Sequence, residues 1–183
     1  MSPHASNQSR RPGPSAIVVS RYNDTITSVM LDGAVSAYTQ AGGTLDSLAI
    51  LEAPGAFELV SIASVLAESG MYESVVCLGC VIKGETSHDV HISSAVANGC
   101  AEISVKTGVP VAFGVLTTNT IEQAIERAGG RAGNKGAEAM AAVLGAAGAI
   151  AEIHKAKDTN TPGFRYAPGF EVPDKASAAS EGL

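Results

Sequence analysis

Tryptophan is missing from this chain, and other aromatics are few: four tyrosines and four phenylalanines in 183 residues. The three cysteines, Cys77, Cys80 and Cys100, are an odd set in segments expected to be buried, which favours a reduced, cytoplasmic protein over a disulfide framework. Twelve basic residues face 18 acidic ones, for a formal net charge of -6. No basic stripe appears, which argues against nucleic acid as a partner. The longest apolar stretch, Ala139 to Ala151, falls short of the ~20 residues of a membrane span, so no membrane partner is expected. Met1 to Ser15 is polar and Pro-rich, without the apolar run of a secretory leader. The apolar content, 45%, is ample for one core.

Four strand-then-helix signals follow one another. Ala16–Ser20 reads as a strand, with a helix from about Thr25 to Ala41 that stops at Gly42-Gly43. Leu45–Leu51 is a second strand, and Pro54-Gly55 turns into a helix ending near Gly70. Val75–Ile82 is a third, followed by a helix from about Ser87 to Gly108 on which Ile92, Val96, Cys100 and Ile103 share one face. Pro110–Leu116 is a fourth, and Thr120 to Gln123 has the form of a capping box. Gly129, Gly130 and Gly133 break that short helix before a long Ala-rich one from about Lys135 to Lys155. Strands separated by such helices predict an α/β domain with a four-stranded parallel sheet covered on both faces. The domain is expected over residues 16–157, with a disordered head at 1–15 and a flexible tail at 158–183.

The segment after the third strand carries the chemistry. Gly84 allows a tight turn, so the amides of Glu85 and Thr86 point outward at a helix N-terminus, where free N–H groups and the helix dipole suit a phosphate. His88 follows half a turn later, within reach for proton transfer. Ligands of an open parallel sheet bind outside the carboxyl ends of its strands. The four loops at that edge hold Arg21-Tyr22-Asn23, Ala53 to Glu58, Lys83 to His88 and Thr117 to Thr120. Of the five aromatics in the expected domain, Tyr22, Phe57 and Phe113 lie in or beside these loops, which points to a planar ring as ligand.

The ordered set Arg-Tyr-Asn, Pro-Gly-Ala-Phe-Glu-Leu, Lys-Gly-Glu-Thr-x-His, Phe-Gly-Val-Leu-Thr and Arg-Ala-Gly-x5-Asn-Lys-Gly resembles the 6,7-dimethyl-8-ribityllumazine synthase family, from about Ala16 to Ile153. The resemblance implies a three-layer α/β/α sandwich of flavodoxin-like type and an enzyme with neither cofactor nor metal. Its reaction condenses 5-amino-6-(ribitylamino)uracil with 3,4-dihydroxy-2-butanone 4-phosphate, releasing phosphate and water, in riboflavin biosynthesis. Carried over by position, Tyr22 stacks on the pyrimidine, Ala56, Phe57 and Glu58 hold the ribitylaminouracil, and the backbone of Cys80, Val81 and Ile82 reads its edge. Glu85, Thr86, Arg127 and Lys135 bind phosphate, and His88 shuttles protons. Phe113, Arg127 and Lys135 come from an adjacent subunit, so the resemblance implies a homo-oligomer, at least a pentamer; in some members twelve pentamers close into an icosahedral shell. Riboflavin synthase is a candidate partner. After His88 the family commonly has aromatic, acid, aromatic; this chain has Asp89-Val90-His91, with the acid one place early.

Blander assignments stand beside these. Cys77 and Cys80 fit a CxxC pattern, but positions three apart in a strand face opposite sides, so core cysteines are expected. Glu58 and Arg127 each suit the helix dipole at the ends they occupy. Two rivals share the fold: an archaeal-type riboflavin synthase, and a non-catalytic flavin-binding or shell-forming protein. The intact phosphate loop favours the synthase over the first.

Overall fold

A computed structural model describes residues 11–164 and residue 166. Most of the expected head and tail, including Phe170, lies outside the described residues. The described residues divide into two compact units, one of 11–148 and a second that begins at 149.

The first unit holds a four-stranded sheet of order β2-β1-β3-β4, every neighbouring pair parallel. Its strands are β1 (Ser15–Ser20), β2 (Leu48–Ala53), β3 (Ser74–Ile82) and β4 (Val111–Thr118). Helices α1 (Asp24–Gln40), α2 (Leu59–Glu68) and α3 (His88–Thr107) follow the first three strands, and α4 (Ile121–Arg127) the fourth. A short antiparallel hairpin, β5 (Ala128–Gly130) and β6 (Gly133–Asn134), leads into α5 (Lys135–Asp158).

Alternation along the strands explains the layers. Ala16 and Val18 of β1, with Val75, Cys77 and Val81 of β3, join α2 and α3 residues such as Leu59, Ala63, Val96 and Cys100 in one core. Ile17 and Val19, with Val76, Leu78 and Cys80, face the other way, onto Met30, Tyr38, Ala124, Met140 and Val143 of α1, α4 and α5. This is the expected α/β/α sandwich of flavodoxin-like arrangement. Cys77 and Cys80 fall in different cores, so the CxxC pattern has no chemical meaning here. The α3 face is as expected: Val96, Cys100 and Ile103 are buried, and Ile92 packs on the same core.

The boundaries differ in three places. Residues Leu45–Ser47, expected in β2, form a 3-10 turn, because Thr44 and Ser47 bond each other through their hydroxyls (3.0 Å) and backbones (2.9 Å). Helix α2 starts at Leu59, after an irregular turn over 54–58 in which the Leu59 amide bonds the carbonyl of Ala56 at 3.3 Å. The glycines after α4, expected only as breakers, form the β5–β6 hairpin. By length and composition α5 could cross a membrane, though Met140 and Val143 in its first half are buried in the second core.

In the second unit α5 ends in a Schellman motif. Asn160 takes a left-handed φ of 50°, its amide bonds Lys157 O at 3.1 Å and that of Thr161 bonds Ala156 O at 2.8 Å.

Candidate active site

Strand order reverses between β1 and β3, and the crevice outside their carboxyl ends is where a sheet of this type takes its ligand. The loops after β1, β2 and β3 all leave the sheet at that edge. The Arg21 amide bonds the carbonyl of Ala53 at 2.8 Å, joining the first loop to the end of β2. The Asn23 side chain donates from Nδ2 to the carbonyl of Cys80 at 2.9 Å, joining it to β3. The Lys83 amide bonds Thr118 O at 2.8 Å, tying the third loop to β4.

The predicted aromatics behave unlike core residues. Tyr22 is 70% exposed and Phe57 59% exposed, whereas Tyr38 is wholly buried and donates its hydroxyl to the carbonyls of Gly13 (3.0 Å) and Ser47 (3.3 Å). In a chain with so few aromatics, leaving two on a loop edge forfeits burial that a core would have used. Ala56 is buried under this edge. Gly55 admits the neighbouring carboxylate: a Cβ on it would stand 2.8 Å from Oε2 of Glu58.

Helix α3 opens at His88, with Ser87 as N-cap and no side chain capping it. The first bonds into that cap come from the Val90 amide (3.1 Å) and the His91 amide (3.4 Å) to Ser87 O. Among the described residues, the amides of Glu85 and Thr86 bond nothing within the chain, and both residues and His88 are exposed. A free amide pair at a helix N-terminus is an anion site in form. Asp89, the displaced acid, keeps one carboxylate oxygen, Oδ1, buried without a hydrogen-bond partner. Among the described residues no group of three or more His, Cys, Asp or Glu could hold a metal ion.

Phe113, expected beside the fourth loop, stands elsewhere. Register sets it opposite Cys77, mid-strand on the exposed edge strand β4, where it is 39% exposed. There it shares an open groove of about 400 Å³ with Thr117, Arg127, Lys135 and Glu138. Arg127 bonds Gln123 O at 3.1 Å through Nη1, and Lys135 pairs with Glu138 at 2.6 Å. Two cations and an aromatic thus line one groove at the edge of the sheet, separate from the groove that begins at Phe57 and Glu58. A larger groove of about 620 Å³ runs between α2 and α3 from Phe57 and Glu58 towards Glu102 and Lys106.

Two asparagines not singled out from sequence organise these regions. Asn23, with a left-handed φ of 61°, holds the first loop. Asn134 caps α5, its Oδ1 accepting from the amides of Gly136 (2.9 Å) and Ala137 (3.1 Å), while its Nδ2 donates to Val29 O (2.8 Å) and Ala128 O (2.9 Å). An asparagine just before a helix was the available signal in both cases.

The chain matches the family model described as 6,7-dimethyl-8-ribityllumazine synthase over residues 14–151. A protein of that name from Syntrophus aciditrophicus is 54% identical over 123 residues, covering 67% of this chain and 80% of its own. Another from Deinococcus deserti is 51% identical over 129 residues, covering 70% of this chain and 83% of its own. One from Deinococcus radiodurans is 46% identical over 140 residues, covering 76% and 90%.

Proposed function

The chain belongs to the 6,7-dimethyl-8-ribityllumazine synthase family, and we propose that it condenses 5-amino-6-(ribitylamino)uracil with 3,4-dihydroxy-2-butanone 4-phosphate, releasing phosphate and water. The observation that carries this reading is that three family motifs, around Tyr22, Phe57 and His88, each follow the carboxyl end of a strand at the sheet edge where strand order reverses.

The arylamine attacks the ketone and loses water to give an imine, phosphate is eliminated to leave an enol that becomes a ketone, and the second nitrogen closes the ring on it with loss of a second water. Tyr22, Phe57 and the turn at Ala56 are the surfaces for the pyrimidine, Glu58 accepts from ribityl hydroxyls, and the backbone of Cys80, Val81 and Ile82 meets the ring edge. The free amides of Glu85 and Thr86 take the phosphate, and His88 moves protons, a task suited to an imidazole near neutrality. Phe113, Arg127 and Lys135 complete the site from an adjacent copy; their clustering in a separate groove supports this division. The guanidinium of Arg127 stabilises the departing phosphate by its two-pronged geometry. We further propose a cytoplasmic homo-oligomer of at least five subunits, with riboflavin synthase as the enzyme that takes the product.

Phosphate release by the purified protein, measured with each substrate alone and with both, tests the reaction. Release above the enzyme-free rate that needs both substrates, with a fluorescent lumazine formed in step, is expected. A folded oligomer that gives no enhancement would leave only a binding or shell role. Light scattering after size exclusion tests the shared site, which a monomeric active enzyme would rule out.

A further inference from the structure

We propose that Asn23 is a positioning residue for the pyrimidine substrate, its left-handed backbone and its amide together fixing where Tyr22 stands beside the carboxyl end of β3. The proposal rests on reading the crevice as the lumazine-forming site.

The Tyr22 side chain is mostly exposed, so its placement depends on the backbone on either side of it. On one side, the Tyr22 amide bonds the Ser20 hydroxyl at 3.2 Å, and the Arg21 amide is held by Ala53. On the other, Asn23 turns the chain at φ 61°, ψ 45°, and its carbonyl accepts the Ile26 (2.9 Å) and Thr27 (3.1 Å) amides that open α1. Thr27 closes the loop by donating its hydroxyl to Ser20 O at 2.8 Å. Among the described residues only Asn23 and Asn160 take a positive φ without being glycine. Asparagine is one of the few side chains that tolerates this conformation, and the only one of those that also offers an amide donor.

That donor reaches 57 positions along the chain to β3. The β1–β3 ladder ends at Val19 paired with Leu78, so β1 has parted from β3 before it could serve Cys80, although Ser20 still pairs with Ala53 of β2. The Asn23 amide takes the Cys80 carbonyl instead, and because that carbonyl only accepts, Nδ2 must face it. The bond therefore joins the residue next to the exposed ring directly to the Cys80–Ile82 segment. A loop held only by its own backbone would leave the distance between ring and strand free to vary.

The backbone and amide roles separate by substitution. Asn23→Gly keeps the left-handed turn and loses the donor; Asn23→Asp keeps the shape and sets an oxygen against the Cys80 carbonyl. The probe is 6,7-dimethyl-8-ribityllumazine, titrated by its fluorescence into wild type, N23G, N23D, Y22A and the doubles of each with Y22A. N23G is expected to weaken binding about fivefold, the scale of one hydrogen bond, and N23D more. Both effects should vanish in the Y22A background, since residues acting through one group are not additive. In turnover, KM for the pyrimidine should rise while KM for the butanone phosphate stays within about twofold. Equal losses with and without Tyr22, or equal rises in both KM values, would show that Asn23 merely holds the fold together. If N23G fails to assemble, N23D in the two backgrounds reads the same coupling. Wild type that binds lumazine without turnover would end the proposed reaction yet still report the coupling; wild type that binds none would end both.

Discussion

The side-chain amide of Asn134 donates to the backbone carbonyl of Val29 at 2.8 Å, across 105 positions of chain. The same amide group bonds Ala128 O, and its oxygen caps α5, so all four of these bonds depend on one residue at the root of the groove that holds Arg127 and Lys135. Asn134→Ala is expected to lose roughly 2–4 kcal/mol of stability, from a lost cap and two unmade bonds to carbonyls. Asn134→Asp, which keeps the cap and loses the donors, should recover part. Urea denaturation at one fixed protein concentration checks both, and equal stability of the two variants would contradict the division.

Arg127 should matter more than His88. If the two substrates react mainly because they are held together, removing the imidazole costs less than the hundredfold or more that general acid–base catalysis can supply. We expect His88→Ala to keep activity within about a hundredfold of wild type and Arg127→Ala to fall below it. Steady-state rates of lumazine formation decide, and the reverse ranking would place the chemistry, not positioning, at the centre.

Stability should decline on the alkaline side through a buried thiol. Burial pushes Cys80 up to about 11 from an ordinary 9.0, and raises Tyr38 as well. A raised acid group favours the protonated, folded form. Its contribution is full below pH 9, and is lost as pH climbs towards 11. Melting temperature between pH 7 and 11 should fall most steeply in that window, and less steeply in Cys80→Ala. A melting temperature that rises across the window would contradict the argument.

All three thiols should be silent in the native protein. Cys77, Cys80 and Cys100 are buried and free, and the Cys77 thiol is held protonated by its hydrogen bond with Cys100 and by burial. A thiol-specific disulfide reagent should find none before denaturation and all three after it. A native thiol that reacts quickly would mean that a core opens locally.

Much of this was legible in sequence where the signal is local. The apolar run of β3 ending at Lys83-Gly84 marks a buried parallel strand with an exposed loop, and that is how the chain folds. The paired cores follow from strict alternation along β1 and β3. What sequence hid depends on tertiary register or on side chains that reach far. A strand expected to stop at Leu116 sets Phe113 near the fourth loop, whereas β4 runs on to Thr118 and pairs Phe113 with Cys77, further from its carboxyl end. The roles of Asn23 and Asn134 rest on bonds to carbonyls 57 and 105 positions away, which no local window contains. Leu45–Ser47 was apolar enough at one end to look like strand, and two hydroxyls turned it otherwise.

The all-parallel sheet carries a kinetic consequence. Each ladder of the main sheet opens on a distant pair: Ser15 with Leu48, Ser15 with Ser74, and Val75 with Val111. Helices α1, α2 and α3 each span a crossover between these strands, a non-local route that folds slowly and exposes edges on the way. Among the described residues the one pairing a short turn can close early is the β5–β6 hairpin. The turn flanked by Arg127 and Lys135 thus depends on the most local of the described pairings, whereas the crevice at β1 and β3 depends on the most distant ones.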